Sequence, residues 1–173
     1  MNRADPSPEQ QVLTFQQGLD LAMQHHKAGR IPEAKDIYQK IIEADPNQPS
    51  ALHLLGVIAH QEGENERAVV LITEALRIKP NYSEALSNLG IALHKLGRLD
   101  ESLTHYHKAT AINPSYAEAH LNLGISYHDL GVLDEAVVNY NKALDIKPDY
   151  EKAHSNLGNV LRELGQLDNA ITS

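Results

Sequence analysis

Apolar residues recur along the chain in a four-three-four rhythm. Between residues 83 and 96 they fall at Ala85, Leu89, Ala92 and Leu96. That spacing draws one stripe along an α-helix. A second apolar set follows each stripe: Leu103, Tyr106, Ala109 and Thr110 in one case, Val137, Tyr140, Ala143 and Leu144 in the next. Glycine and proline punctuate the rhythm at a fixed period. Gly29, Gly63, Gly97, Gly131 and Gly165 stand 34 residues apart, as do Pro46, Pro80, Pro114 and Pro148. Gly56, Gly90, Gly124 and Gly158 form a third series with the same period.

The period divides the chain into units 15–48, 49–82, 83–116, 117–150 and a partial fifth at 151–173. Within each unit the pattern predicts two antiparallel helices. First helices are expected near 15–28, 49–62, 83–96, 117–130 and 151–164, and second helices near 32–45, 66–79, 100–113 and 134–147. Glycine at position 15 of a unit suits a left-handed helix cap. Aspartate at position 18 (Asp100, Asp134, Asp168) is expected to N-cap the second helix. Proline at position 32 ends that helix, because it lacks an amide hydrogen and crowds the preceding turn.

These positions resemble the tetratricopeptide repeat. Leu21, Leu55, Leu89, Leu123 and Leu157 hold position 7, and Ala22, Gly56, Gly90, Gly124 and Gly158 hold position 8. Ala34, Ala68, Ala136 and Ala170 hold position 20, with Ser102 the exception. Tyr38, Tyr106 and Tyr140 hold position 24, where unit two has Ile72. Ala75, Ala109 and Ala143 hold position 27, where unit one has Ile41. The family's tryptophan at position 4 is missing; Gly18, Leu52, Leu86, His120 and His154 stand there. The resemblance implies an all-α fold, a right-handed superhelical solenoid of helix-turn-helix units, four complete and a fifth partial. It also implies a concave groove lined by the first helices. Small residues at 8, 20 and 27 let helices approach, and the large residue at 24 fills the gap. Each unit touches only its neighbours. The wording AHLNLG and AHSNLGNVLRELGQLD is similar to the arm of protein O-linked N-acetylglucosamine transferases and their bacterial relatives.

The expected layout is a disordered tail at 1–10 and a solenoid over 11–173, with Val12, Leu13 and Phe15 opening the first helix. Unit five ends about six residues into its expected second helix, too short to be stable alone. That favours a fragment of a longer protein over a frayed end or an end covered by another molecule.

Composition removes several function classes. There are no cysteines, so disulfide scaffolds and thiolate metal sites are excluded. Lys and Arg total 15 against 23 Asp and Glu, giving a formal charge of −8, which lacks the footprint of a nucleic-acid binder. No apolar run is long enough to span a membrane, and the polar start does not read as a secretory signal. Cytoplasmic location is the expectation from these missing signals.

Candidate chemistry lies on the first helices. Positions 2, 5, 6, 9, 12 and 13 share an arc of ~120° beside the core stripe. Position 9 is Met23, Val57, Ile91, Ile125 and Asn159; position 6 carries Asn88, Asn122 and Asn156, interrupted by Asp20 and Leu54. Position 12 carries His26, His60, His94 and His128, then Arg162. An asparagine row offers donors and acceptors to the backbone of an extended peptide. The plainer reading, that asparagine braces neighbouring helices, carries more weight. The histidine row admits three readings: a metal chain, a pH-sensitive groove, or a tolerated polar residue spread by repeat duplication. The third is favoured. No His-Glu-x-x-His motif supports a metal, and His105 and His107 point to different sides of their helix.

The family's carboxylate clamp for chaperone tails needs Lys, Asn, Asn, Lys and Arg at set positions. Reading from unit one gives Leu19, Met23, Leu54, Glu84 and Asn88, which match none of them. Unit two supplies only Asn88, and unit three only Asn122 and Lys152. No phosphate loop or acid-base pair is present, and Glu101 and Glu135 suit helix N-termini. The reading is a non-enzymatic scaffold with no cofactor and no metal, whose partner is a protein or peptide. The groove residues are Asn88, Asn122, Asn156, His60, His94, His128, Ile91, Ile125, Lys95 and Asn159. Two alternatives are the substrate-recruiting arm of a protein glycosyltransferase and self-association through the uncapped C-terminal end.

Overall fold

The structure is a computed structural model that describes the backbone of residues 14–172 and the side chains of residues 14–165. Four helix pairs succeed one another: α1 Phe15–Lys27 with α2 Ile31–Ala44, α3 Pro49–Gln61 with α4 Asn65–Ile78, α5 Ser83–Lys95 with α6 Leu99–Ile112, and α7 Ala117–Asp129 with α8 Leu133–Ile146. A ninth helix, α9 Glu151–Thr172, follows. The described residues contain no strand. The fold is an all-α repeat solenoid.

The glycines at position 15 make the turns. Gly29, Gly63, Gly97 and Gly131 have φ of 74°, 84°, 73° and 73°. Each N–H closes onto the carbonyl three residues back, and the next N–H closes five residues back; Gly97 bonds to His94 at 2.9 Å and Arg98 to Leu93 at 3.0 Å. This double closure satisfies the last carbonyls of the first helix and reverses the chain.

The glycines at position 8 bring the two helices of a pair together. A Cβ built on Gly90 would lie 2.6 Å from Tyr106 Cε1, one on Gly124 2.5 Å from Tyr140 Cδ1, and one on Gly56 2.6 Å from Ile72 Cγ1. Tyr38, Tyr106, Tyr140 and Ile72 are fully buried there. Burial of each ring stabilises the pair by on the order of 2 kcal/mol. Hydrophobic burial also pushes the Tyr38 and Tyr140 hydroxyls up to about 12.

Successive first helices touch directly, α3 with α5, α5 with α7 and α7 with α9, while no two successive second helices make comparable contact among the described residues. The first helices are therefore the tighter, inner row of the solenoid. The second helices are splayed on the outside.

Three details differ from the sequence reading. Asp100 and Asp134 do not cap; Arg98 and Val132 occupy the N-cap, and the aspartates sit in the first turn. The glycine turn runs straight into the helix and puts the cap two residues before the aspartates, so these carboxylates face the helix dipole instead. The side chain of Asp168 lies outside the described residues. Unit five is not two helices: α9 passes through Gly165, which lacks the positive φ of the other turn glycines. A glycine inside a helix costs about 1 kcal/mol, which the hydrogen-bond ladder continued across it offsets. Position 5 does not face the groove, because Leu19, His53, Ser87 and Leu121 are buried. The first helix begins at Phe15, where the pattern places it, on a capping box, with Thr14 Oγ1 accepting from Gln17 N–H and Gln17 Oε1 accepting from Thr14 N–H. Val12, Leu13 and the tail expected at 1–10 lie outside the described residues.

Candidate functional site

The inner row presents position 9 and its neighbours to the groove. Val57, Ile91 and Ile125 are half-buried, while Met23 and Asn159 are exposed. Ile91, Ile125, Tyr106 and Asn122, with His94 and Lys95, enclose a hollow of about 170 Å³. Its counterpart two repeats earlier, about 290 Å³, is walled by Met23, His26, Lys27, Tyr38, Leu54 and Gln61. The apolar floor comes from position 9 and the ring from position 24. The polar rim comes from positions 12 and 13.

The three asparagines are half-buried and are not equivalent. Asn88 Nδ2 donates to His53 Nε2 at 2.7 Å, and His53 Nδ1 lies 3.1 Å from the Tyr82 hydroxyl. His53 is 4% exposed, and burial holds its pKa down at about 4. It is a neutral imidazole that accepts from Asn88 and donates to Tyr82. Asn88 is thus a brace between the second and third repeats. Asn122 Nδ2 is buried with no hydrogen-bond partner. Asn122 alone of the three also lines the hollow between Ile91 and Ile125. No such contact is found for Asn156 among the described residues.

The histidines form rungs between repeats. His26 Nε2 donates to Gln61 Oε1 at 3.0 Å, His94 Nε2 to Asp129 Oδ2 at 2.8 Å, and His128 Nε2 to Glu163 Oε1 at 3.1 Å. Each rung joins residues 35 apart, one repeat plus one residue. His60 is the exception: its Nδ1 donates to Asn65 Oδ1 at 2.7 Å within its own repeat. Three of the four histidines thus tie successive first helices together. Among the described residues no cluster of three or more histidine and carboxylate groups is placed to hold a metal.

Reading positions 6, 9 and 12 in isolation missed the partners: His53, Tyr82, Gln61, Asp129 and Glu163. For Gln61, Asp129 and Glu163 the signal lies in the register of the repeats, where the histidine at 12 stands one repeat and one residue before an amide or carboxylate at three of four junctions.

A larger cleft of about 550 Å³ lies on the second helices, between His107, Thr110, Pro114, His120, Lys142 and Asp145. It is an open trough on the outer layer. His107 Nε2 lies 2.8 Å from the Tyr127 hydroxyl, and His120 Nε2 donates to the Pro114 carbonyl at 3.0 Å. Burial and Lys142 hold the His107 pKa down. No helix among the described residues is long and apolar enough to cross a membrane.

Paired antiparallel helices, stacked with an inner row and an outer row, define an α-helical repeat scaffold. Family models described as the tetratricopeptide repeat and TPR repeat match residues 19–83, 71–104, 92–131 and 126–165. The matches run without a break over far more than half of the chain, and the chain belongs to the tetratricopeptide-repeat family. Among solved structures it is similar to MamA protein, at 26% identity and a TM-score of 0.76, covering 91% of this chain and 86% of that one. It is equally similar to TTC0263, a thermophilic TPR protein in Thermus thermophilus, at 26% identity and a TM-score of 0.76, covering 92% and 87%. The first TPR of Spaghetti (RPAP3), solved bound to HSP90 peptide SRMEEVD, shares the fold at 22% identity and a TM-score of 0.67, covering 70% and 96%. No curated protein sequence matches the chain.

Proposed function

We propose that this chain is a scaffold that holds an extended segment of a partner protein along the row of first helices. One observation carries this reading most directly. Ile91 and Ile125 flank a hollow that Asn122 also lines, and the Asn122 amide nitrogen is buried with no internal partner. The apolar floor suits a side chain, and a turn of the Asn122 carboxamide would offer its unpaired donor to the backbone carbonyl next to it. The peptide seen on the related fold of RPAP3 supports the same use of the architecture. In this reading Asn122, Ile91 and Ile125 make the central contact, Asn156 and Asn159 extend it, and Asn88 acts by bracing. The glycosyltransferase-arm reading rests on sequence wording, and no structural feature favours it over the scaffold.

Random dodecapeptides selected on the wild-type protein provide the test. The double variant Ile91→Asp with Ile125→Asp should weaken the selected peptides at least tenfold by fluorescence anisotropy. Its circular dichroism should match wild type, because both residues are only half-buried. Lys142→Glu on the outer trough should leave affinity unchanged. Equal binding to the isoleucine variant, or loss in the Lys142 variant, would count against the groove.

A further inference from the structure

The inner row closes three of its four histidine rungs and leaves one open. At the first, third and fourth junctions a histidine at position 12 meets an oxygen acceptor at position 13 of the following unit: Gln61, Asp129 and Glu163. At the second junction the residue in that place is Lys95. The repeat geometry sets it opposite His60, and a lysine offers no acceptor. His60 has turned aside to Asn65. Lys95 is exposed and makes no ion pair among the described residues.

The same lysine lines the hollow of about 170 Å³ with His94, Ile91, Ile125 and Asn122. A hollow of roughly that size takes one aliphatic or ring-sized group. The acids of the inner row near it are already engaged or remote. Asp129 is held by His94. Glu84 and Glu118 sit in the first turns of α5 and α7, at the opposite end of those helices. Eleven residues separate positions 2 and 13, about 16 Å along the axis. The groove thus has an acidic edge at the start of its helices and an unpaired cation at their ends. The helix dipole favours a cation in a last turn, which accounts for Lys95 being tolerated but not for the missing acceptor.

We infer that the open rung between His60 and Lys95 receives a side-chain carboxylate of the partner segment, with a neighbouring aliphatic side chain seated between Ile91 and Ile125. The partner's aspartate or glutamate supplies the acceptor that Gln61, Asp129 and Glu163 supply elsewhere. A charge-assisted bond to Lys95 then takes the place of the internal one. This differs from a clamp on a terminal carboxylate, whose positions the chain does not match. The inference rests on the groove being the binding face.

Three libraries of acetylated, amidated dodecapeptides test it, degenerate except for a central Leu-Glu, Leu-Gln or Leu-Lys. Wild-type protein on a column should retain the Leu-Glu library at least tenfold over Leu-Gln. Lys95→Glu should reverse the order and favour Leu-Lys. Lys95→Asp should close the rung onto His60 and raise the melting temperature by about 2 °C while abolishing the glutamate preference. Equal retention of Leu-Glu and Leu-Gln by wild type, an unchanged order in Lys95→Glu, or a lower melting temperature in Lys95→Asp would overturn the open rung. Free-acid versions of the libraries that bind better whatever the central residue would overturn the side-chain source. Retention of no library would remove the groove reading itself, and this inference with it.

Discussion

Replacing Gly124 by valine is expected to destabilise the solenoid by about 3 kcal/mol. The Cβ would stand 2.5 Å from Tyr140 Cδ1 and Cε1, and the ring is 1% exposed with no room to retreat. Unit one shows how much tolerance exists. There Ala22 faces Tyr38, and both are fully buried, so a single methyl fits when the pair is spaced for it. The two branches of valine go beyond that spacing. Gly158 is the internal control, because it holds the same position in unit five and a Cβ there meets nothing within 4 Å. Gly158→Val should be near neutral or slightly stabilising, since valine is the better helix former. Urea unfolding followed by circular dichroism measures both. Adding Tyr140→Leu to Gly124→Val should recover more than 1 kcal/mol relative to additivity. Equal losses at 124 and 158, or strict additivity, would mean that the pair does not depend on this close approach.

Acidification should weaken the second junction through His53. Its folded pKa is about 4 against an ordinary 6.5, with burial the first cause and the Glu84 charge opposing it. The unfolded chain therefore binds the extra proton between those values, so stability falls as pH falls. The contribution of His53 is fully present above pH 6.5, declines through the window, and levels off below about 4. Over the whole window it amounts to about 3 kcal/mol, and between pH 7 and 5 to about 2 kcal/mol. Bonding acts in the same direction: a protonated His53 would turn an N–H toward the Asn88 amide that now donates to Nε2. His53→Gln should be less stable than wild type at pH 7 and should lose about 2 kcal/mol less between pH 7 and 5. Parallel pH profiles for the two proteins would show that His53 is not held neutral.

The chain discloses its fold through residues whose role is local. A glycine every 34 residues fixes a left-handed turn, and the apolar rhythm on either side of it fixes two helices. Those elements stand within a residue or two of where the pattern puts them. Asp100 and Asp134 show the limit. An aspartate before an apolar run suits a cap, but the closure onto Gly97 and Gly131 decides where the next helix starts. Gly165 shows another. The same residue that makes a positive-φ turn at Gly29, Gly63, Gly97 and Gly131 lies inside a helix here, because the spacing of a glycine does not by itself set its φ.

The candidate site was less legible, because its contacts cross between repeats. Asn88, Asn122 and Asn156 look alike along the chain, yet a buried histidine from the preceding repeat occupies one of them. His26, His94 and His128 read as a duplicated polar residue until each is set against the residue 35 further on. Lys95 looks like an ordinary surface lysine until it is seen to stand where an acceptor belongs.

The central claim is that the inner row, and not the outer trough, receives the partner. Methyl-labelled protein titrated with a selected dodecapeptide tests it most directly by nuclear magnetic resonance. Shifts concentrated at Ile91, Ile125 and Val57, with Ile37 and Ile146 unmoved, are the expected result. Shifts centred on Ile146, beside the trough of His107 and Lys142, with Ile91 and Ile125 unmoved, would contradict it.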